Sequence, residues 1–570
     1  MSAKRAGRGR RSSMVSTFGI GSLFPAENES VMICGLDDWP KGPEVLEPRL
    51  AESMGVHTFR LPAAGRKAGD VPVVRFPDWA FCPDCRRLDV SWKLARGDSR
   101  RCECTGVIAP SRFVACCPRG HIDDFPYFAW VHGRGKQDRD GHSLKLNTEG
   151  RSSALADLVV DCSCGKSRSL QGAFDFNALK DVTSCFGRRP WLPEEPKDPV
   201  DCDQVPRTLQ RGSSNVWFAS TRSAISIPSV RSRARDFAER KFRDANPSKS
   251  SEDLAGMFLP PPGCSVEDII EAIDEMLSPS AGRKRRPSDA ELRAEEYRAL
   301  VNGLDEDQEG SHQFLCVETD LTGSDVDEAV AQISRVSRLR EVRALAGFSR
   351  VTPSAPEDPD TGEAMLSPLS VSKDIDWLPA VEVLGEGVFV RLDEDKLTQW
   401  SNTTFARERA RRLLEVQERL PATSLARRFE VSQRTIVLHT LAHALVDEFS
   451  LTAGYPAASL RERVYDAENQ AGILIYTATA DSAGSLGGLA ALSDPHRFNG
   501  ILRSAIKRAE WCTSDPVCIE SGPTGVDGMN LCACHACLLL PETSCERFNV
   551  VLDRACLVGA EGEDGLFSHL

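Results

Sequence analysis

The chain has 570 residues, 41% of them hydrophobic and 27% charged, which are globular values for a length that allows three or four domains. A formal net charge of −13 argues against a globally basic nucleic-acid coat and leaves only a local basic surface for phosphate contact. No apolar run approaches the ~20 residues a membrane helix needs, and the basic start MSAKRAGRGRRSSMV has no apolar stretch of the kind that makes a secretory signal. A cytoplasmic protein without a membrane partner is therefore expected.

In chain order, residues 1–15 read as a disordered basic arm carrying Arg8, Arg10 and Arg11. Residues 16–235 form a turn- and cysteine-rich region of short strands, in which VPVVRFPDWAFC (71–82) is a strand running into a metal knuckle. Residues 236–325 are a helical and linker region. Its segment SVEDIIEAIDEML (265–277) has helical spacing behind a Ser265 cap, and a second helix follows through Leu292–Leu300. Region 326–430 is expected to mix helices (Val326–Leu345, Thr403–Leu420) with a strand pair, VEVLGEGVFVRL (381–392), turning at Gly-Glu-Gly. Residues 431–570 make a C-terminal α/β unit, with a helix over Thr435–Phe449 and GILIYTATA (472–480) as a buried strand. The fold class is mixed α/β, multidomain: zinc modules, then helices, then an α/β zinc-knuckle domain.

Twenty cysteines in CxxC and CxC spacings, in a chain with no sign of secretion, point to structural zinc rather than disulfides. Three ligand sets can be assembled. Cys82 and Cys85 pair with Cys102 and Cys104 across a hairpin-length gap. Cys162 and Cys164 are grouped with the distant Cys185 and Cys202. In CACHACLLLPETSC (532–545), Cys534 and Cys537 have knuckle spacing and Cys545 is a third thiolate, with the fourth supplied by Cys512 or Cys518. Cys532 and His535 compete for the same role. A catalytic metal centre built from Cys117, His121, Asp123, Asp124 and His132 is the sharper reading of CCPRGHIDDFPYFAWVH (116–132); packing residues and a helix-capping aspartate pair are the plainer one.

Conventional catalytic motifs fall short. His439 and His443 have the i, i+4 spacing of a zinc protease helix, but Thr440 stands where the general-base glutamate belongs. The Gly/Ser-rich turn DSAGSLGGL (481–489) has no lysine after its glycines. Gly165-Lys166-Ser167 lacks the first Walker glycine, since Val160 occupies that place. ATP turnover is not expected of this chain. Local basic clusters, where any DNA contact would lie, are the N-terminal arm, Arg283–Arg286, and Arg335, Arg338, Arg340 and Arg343.

Taken together, WAFCPDC, RFVACCPRGHIDDFPYFAWVH, NVWFASTRSAISIP, LREVRALAGFSRV, LHTLAHALV, IYTATADSAGSLGGL and CHACLLLPETSCERFNVVLDR occur in an order that resembles the DrmB family, the helicase-associated proteins of the DISARM anti-phage system. The likeness runs over most of residues 16–556. The C-terminal half also resembles the zinc-binding domain of bacterial DNA-repair helicases, which places the knuckle at Cys534, Cys537, Cys545 and an upstream cysteine. The resemblance implies a non-catalytic subunit that binds a DrmA-like superfamily-two helicase, which supplies the ATP turnover, and helps load it on DNA. It leaves room for other DISARM subunits as further partners. A metal-dependent nuclease centred on His121, Asp123 and Asp124 or on His439 and His443 is the alternative.

Overall fold

The computed structural model describes residues 6–26, 29–65, 69–96, 100–134, 139–150, 154–192, 202–228, 234, 237–238, 241–242, 250–261, 264–277, 286–306, 313–353, 366–372, 374–421, 424–477, 488–560 and 562–570. They fall into two compact units. One comprises residues 1–46, 56–222 and 343–381; the other comprises 47–55, 223–342 and 382–570.

The first unit is built from small antiparallel sheets. A six-stranded sheet runs in the order Ser167–Ser169, Leu158–Cys162, Leu144–Thr148, Arg87–Val90, Trp79–Phe81, Ala109–Pro110. Short strands joined by tight turns leave little apolar surface per element, and this sheet's core is rich in large aromatic side chains: Trp79, Phe113, Phe125, Tyr127 and Trp130 pack with Leu146 and Val160. A three-stranded sheet (Ile122–Asp124, Phe113–Cys116, Arg207–Gln210) carries the CPRGH turn. Arg350 is fully buried, and its guanidinium donates to the carbonyls of Gly120 (2.8 Å), Val216 (2.6 Å) and Gly21 (2.7 Å). The N-terminal segment forms a helical turn, Ser13–Ser16, that buries Met14 and Val15, so order begins inside the stretch expected to be a free arm.

The second unit has a large core around the helix Gln433–Ala453. Ser432 caps it by accepting from the Thr435 amide, and Gly454 ends it in the left-handed conformation that glycine adopts without a Cβ penalty. The helix is apolar nearly all round, which suits burial on several sides. It packs against the antiparallel strands Leu460–Tyr465 and Gly472–Thr477 and the helix Pro495–Ala509. Helix Asp289–Asn302 begins with a reciprocal Ser288/Glu291 capping box, and Thr404–Arg419 is capped by Thr403.

Two expectations are corrected. The helix expected over Val326–Leu345 is a strand, Val330–Ser349, paired with Phe314–Glu318. Its arginines imitate a helical surface, but Val330, Ile333, Val336 and Val342 are β-branched and buried in the sheet, and that packing decides the conformation. VEVLGEGVFVRL does not turn back on itself: Trp377–Leu392 is one continuous strand. Gly385 and Gly387 stand where a Cβ would collide with the carbonyl oxygens of Thr477 and Ile475 on the neighbouring strand. They serve close backbone approach, not a turn.

Candidate metal centres

Among the described residues, five groups of Cys, His or Glu side chains converge with their ligand atoms within 4.8 Å of one another. In the first, the strand Trp79–Phe81 delivers Cys82 and Cys85 into a tight turn, and Cys102 and Cys104 come from the opposite loop. The Cys82–Cys104 and Cys85–Cys102 sulfur separations are 3.4 and 3.6 Å. These are far too long for disulfides and approach the edge of about 3.8 Å that Zn–S bonds of about 2.3 Å give in a tetrahedron. Gly106 lies against the cluster, where a Cβ would come within 2.8 Å of the Cys82 sulfur. The Gly106 amide and the neighbouring sulfurs pull the Cys104 thiol down to about 7, while burial pushes Cys85 up to about 12.

The second and third groups depart from the expected set. Cys185 and Cys202 meet Cys117 and His121, not Cys162 and Cys164. The CPRG turn between strands Phe113–Cys116 and Ile122–Asp124 brings His121 Nδ1 to 3.4 Å from the Cys117 sulfur and 3.6 Å from that of Cys185. Gly120, at φ 82, closes that turn. Cys162 and Cys164 are joined instead by His132 and His142. His142 Nδ1 lies 3.1 Å from the Cys162 sulfur, and His132 Nε2 lies 3.3 Å from that of Cys164. The His132 Nδ1–H donates to the Phe128 carbonyl (3.0 Å), which leaves the Nε2 lone pair facing the cluster. The Lys166 amide and His132 draw the Cys164 thiol down to about 6. The physical reason for the regrouping is the hairpin of Leu158–Cys162 with Leu144–Thr148, which places Leu144, two residues after His142, opposite Cys162.

The fourth group contains both upstream cysteines: Cys512, Cys518, Cys534 and Cys537. Sulfur separations are 3.5 Å (Cys512–Cys534), 3.9 Å (Cys518–Cys537) and 3.8 Å (Cys534–Cys537). Backbone amides donate to the sulfurs: Ser514 to Cys512, Ala536 to Cys534 and Cys534 to Cys537, at 3.3–3.4 Å. Burial opposes the Cys534 thiolate, yet the Ala536 amide and the adjacent sulfurs hold it at about 7. Arg554 braces the loop by donating to the Ala509 carbonyl and pairing with Asp515, whose carboxylate accepts from the Cys512 amide (2.7 Å). Cys545 is not in this group. It lies with His439, His443 and Glu462, all four buried. Cys532 is also elsewhere, accepting from Arg409 (3.0 Å) and donating to the Ile519 carbonyl, and His535 is exposed.

The residues considered for catalysis have other occupations. Asp124 accepts from the amides of Trp79 (2.9 Å) and Asp78 (3.2 Å), and Asp123 pairs with Arg188 (2.6 Å). Both line a cavity of about 340 Å³ with His121 and Cys185. Lys166 sits in the turn between strands Leu158–Cys162 and Ser167–Ser169, with no helix following to present amides to a phosphate. Most of DSAGSLGGL, residues 481–487, lies outside the described residues, as do Arg283, Lys284 and Arg285. Of the arginines assigned to the expected helix, Arg335 and Arg338 are exposed. Arg340 is buried and bound to Glu382 (3.0 Å) and Ser226 (2.8 Å), and Arg343 is buried as well.

Comparison with known proteins fits this arrangement. Residues 10–218 match the model of a domain of unknown function, DUF8724, and residues 441–538 match the MrfA Zn-binding domain. The latter span contains Cys512, Cys518, Cys534 and Cys537. Over 557 residues the chain is 29% identical to DISARM protein DrmB of Bacillus paralicheniformis (strain ATCC 9945a / NCIMB 11709 / CD-2), covering 93% of this chain and 97% of the relative. The chain resembles DrmB along nearly its whole length. This DrmB-like chain is a mixed α/β protein with cysteine-rich clusters and a C-terminal zinc-binding domain, and structural zinc is the cofactor its thiolate and imidazole donors suit.

The sequence groups Cys117, His121 and His132 with Asp123 and Asp124 in one catalytic centre, whereas Cys117 and His121 meet Cys185 and Cys202, and His132 meets Cys162, Cys164 and the unanticipated His142. His142 carries no local signal, because only strand pairing brings it to Cys162.

Proposed function

We propose that the chain is a non-catalytic subunit of a DISARM anti-phage complex, which binds a DrmA-like superfamily-two helicase and helps it engage DNA. The observation that carries the reading is the end-to-end similarity to DISARM protein DrmB. The chemistry of the clusters supports it. Each gathers four protein donors, the closed coordination of a structural zinc, whereas a catalytic zinc keeps a position for water or substrate. The sites would then hold short-stranded modules in shape to present surfaces, and the acidic body would contact DNA only locally, with Arg335 and Arg338 as exposed candidates. Zinc sets Cys82/Cys85/Cys102/Cys104, Cys117/His121/Cys185/Cys202, His132/His142/Cys162/Cys164 and Cys512/Cys518/Cys534/Cys537 belong to the same proposal. The test is co-expression of the tagged chain with the helicase encoded in the same defence system. Co-elution of the two at physiological salt is expected. Separate elution of two folded, zinc-loaded proteins would refute the reading.

A further inference from the structure

The group His439, His443, Glu462 and Cys545 lies apart from the four-cysteine knuckle and is wholly interior: the relative exposures are 0%, 0%, 1% and 6%. His439 and His443 come from one face of the helix Gln433–Ala453, one turn apart. Glu462 comes from the strand Leu460–Tyr465 and Cys545 from the loop that follows the knuckle. The MrfA Zn-binding match, residues 441–538, includes neither His439 nor Cys545. These are the histidines that lacked a protease glutamate in the sequence, and the cysteine that the knuckle left out.

Hydrogen bonding fixes what the side chains present to one another. His443 Nδ1 lies 2.8 Å from the Leu538 carbonyl, which can only accept, so Nδ1 carries a proton and Nε2 is the ring nitrogen turned inward. That nitrogen faces Glu462 Oε1 at 3.3 Å, without the geometry of a hydrogen bond: His443 Nε2 has no hydrogen-bond partner among the described residues, and neither has Glu462 Oε2. His439 Nε2 lies 3.0 Å from the same Oε1 and 3.2 Å from the Cys545 sulfur. Two imidazole nitrogens, a carboxylate oxygen and a sulfur thus crowd a single interior point, a donor set that a cation among them would hold together.

Backbone amides also point at the sulfur. The amides of Arg547 (3.3 Å) and Asn549 (3.4 Å) both donate to Cys545 Sγ, repeating the amide-to-sulfur contacts of the knuckle cysteines. Phe548 and Asn549 adopt positive φ (56 and 58°), the conformation that curls these amides over the sulfur. The Glu462 amide donates to the Ser544 carbonyl (3.1 Å), which ties strand to loop beside the site.

We propose that His439, His443, Glu462 and Cys545 bind a zinc-class divalent cation, in a closed site of two imidazoles, one carboxylate and one thiolate that is separate from the four-cysteine knuckle. The carboxylate and the thiolate neutralise the two positive charges, and the Cys545 proton leaves to solvent when the metal enters. The mixed nitrogen, oxygen and sulfur donors suit zinc better than a soft monovalent ion. Four protein ligands in a buried site leave no position for water, so the ion is a staple joining the long helix, the strand and the loop. The same closure removes the His439/His443 pair from consideration as a nuclease centre. This inference does not depend on the helicase reading.

The experiment uses the full chain, purified with zinc present throughout. Anomalous difference maps at the zinc edge are expected to show a peak bonded to His439, His443, Glu462 and Cys545, in addition to one among Cys512, Cys518, Cys534 and Cys537. Elemental analysis should find one zinc fewer per chain in Cys545→Ser than in the parent. A peak at the knuckle with none at this site, or an unchanged zinc content in Cys545→Ser, would overturn the proposal. If Cys545→Ser does not fold, the map of the parent decides alone.

Discussion

Removing the positive member of the Arg409–Asp553 pair tests how the knuckle is held to the helical core. Arg409, on helix Thr404–Arg419, donates from Nε to Asp553 Oδ2 (2.6 Å) and from Nη2 to Oδ1 (2.8 Å), with side-chain exposures of 4% and 0%. Arg409→Met fills similar space and strands the carboxylate. Breaking a buried pair in this way costs about 3–5 kcal/mol. Asp553 would keep the amides of Ala555 (3.1 Å) and Cys532 (3.4 Å), which argues for the lower end. About 3 kcal/mol corresponds to a ~100-fold rise in the opening equilibrium. Hydrogen exchange of the amides in Thr404–Arg419, measured on the zinc-loaded full chain, reads this directly. Adding Asp553→Asn to Arg409→Met removes the charge but keeps an oxygen for the two amides, so it should recover about 1–2 kcal/mol. An Arg409→Met effect below ~1 kcal/mol, or no recovery in the double variant, would show that the pair does not anchor the domain.

Cys534→Ser opens the knuckle: zinc content should drop by one per chain, with faster exchange around residues 512–540, and unchanged zinc and exchange would count against that site. Burial and the charges of Asp78 and Asp123 push Asp124 up to about 7, so the stability of its protonated form is complete below the ordinary carboxylate value and is lost as pH rises through 7. Between pH 5.5 and pH 8 the stability difference should therefore shift in favour of Asp124→Asn over the parent by about 2 kcal/mol; an equal difference at both pH values contradicts the reasoning. The purified chain should show no ATP turnover in its own elution peak, and turnover that tracks that peak and survives Lys166→Ala would reveal a nucleotide site elsewhere.

Much of the architecture is legible wherever a local rule decides it. The Ser265 cap, whose hydroxyl accepts from the Asp268 amide, and the buried strand from Gly472 follow from short-range signals. Knuckle pairs such as Cys82/Cys85 and Cys534/Cys537 are close in sequence, and the structure brings each pair together. What escapes is set by strand pairing. His142 reaches Cys162 through the pairing of Leu144–Thr148 with Leu158–Cys162, Glu462 reaches His439 through packing of its strand on the long helix, and nothing adjacent to them in sequence marks them as cluster members. Val330–Ser349 reads as a helix because its arginine spacing resembles a helix surface, while the deciding fact, burial of its β-branched residues against other strands, is not local. Gly385 and Gly387 read as a turn for the same reason: close packing on the Gly472–Thr477 strand cannot be distinguished from a hairpin in one sequence.

Whether this chain helps a partner helicase engage DNA, as proposed, is read from the helicase's DNA affinity with and without the chain, across a series of salt concentrations. Tighter binding is expected with the chain present, together with a salt slope that falls by roughly 0.7–0.9 for each phosphate no longer neutralised in the Arg335→Glu and Arg338→Glu variants. Identical affinity and slope with and without the chain, in a complex shown to be intact, would contradict it.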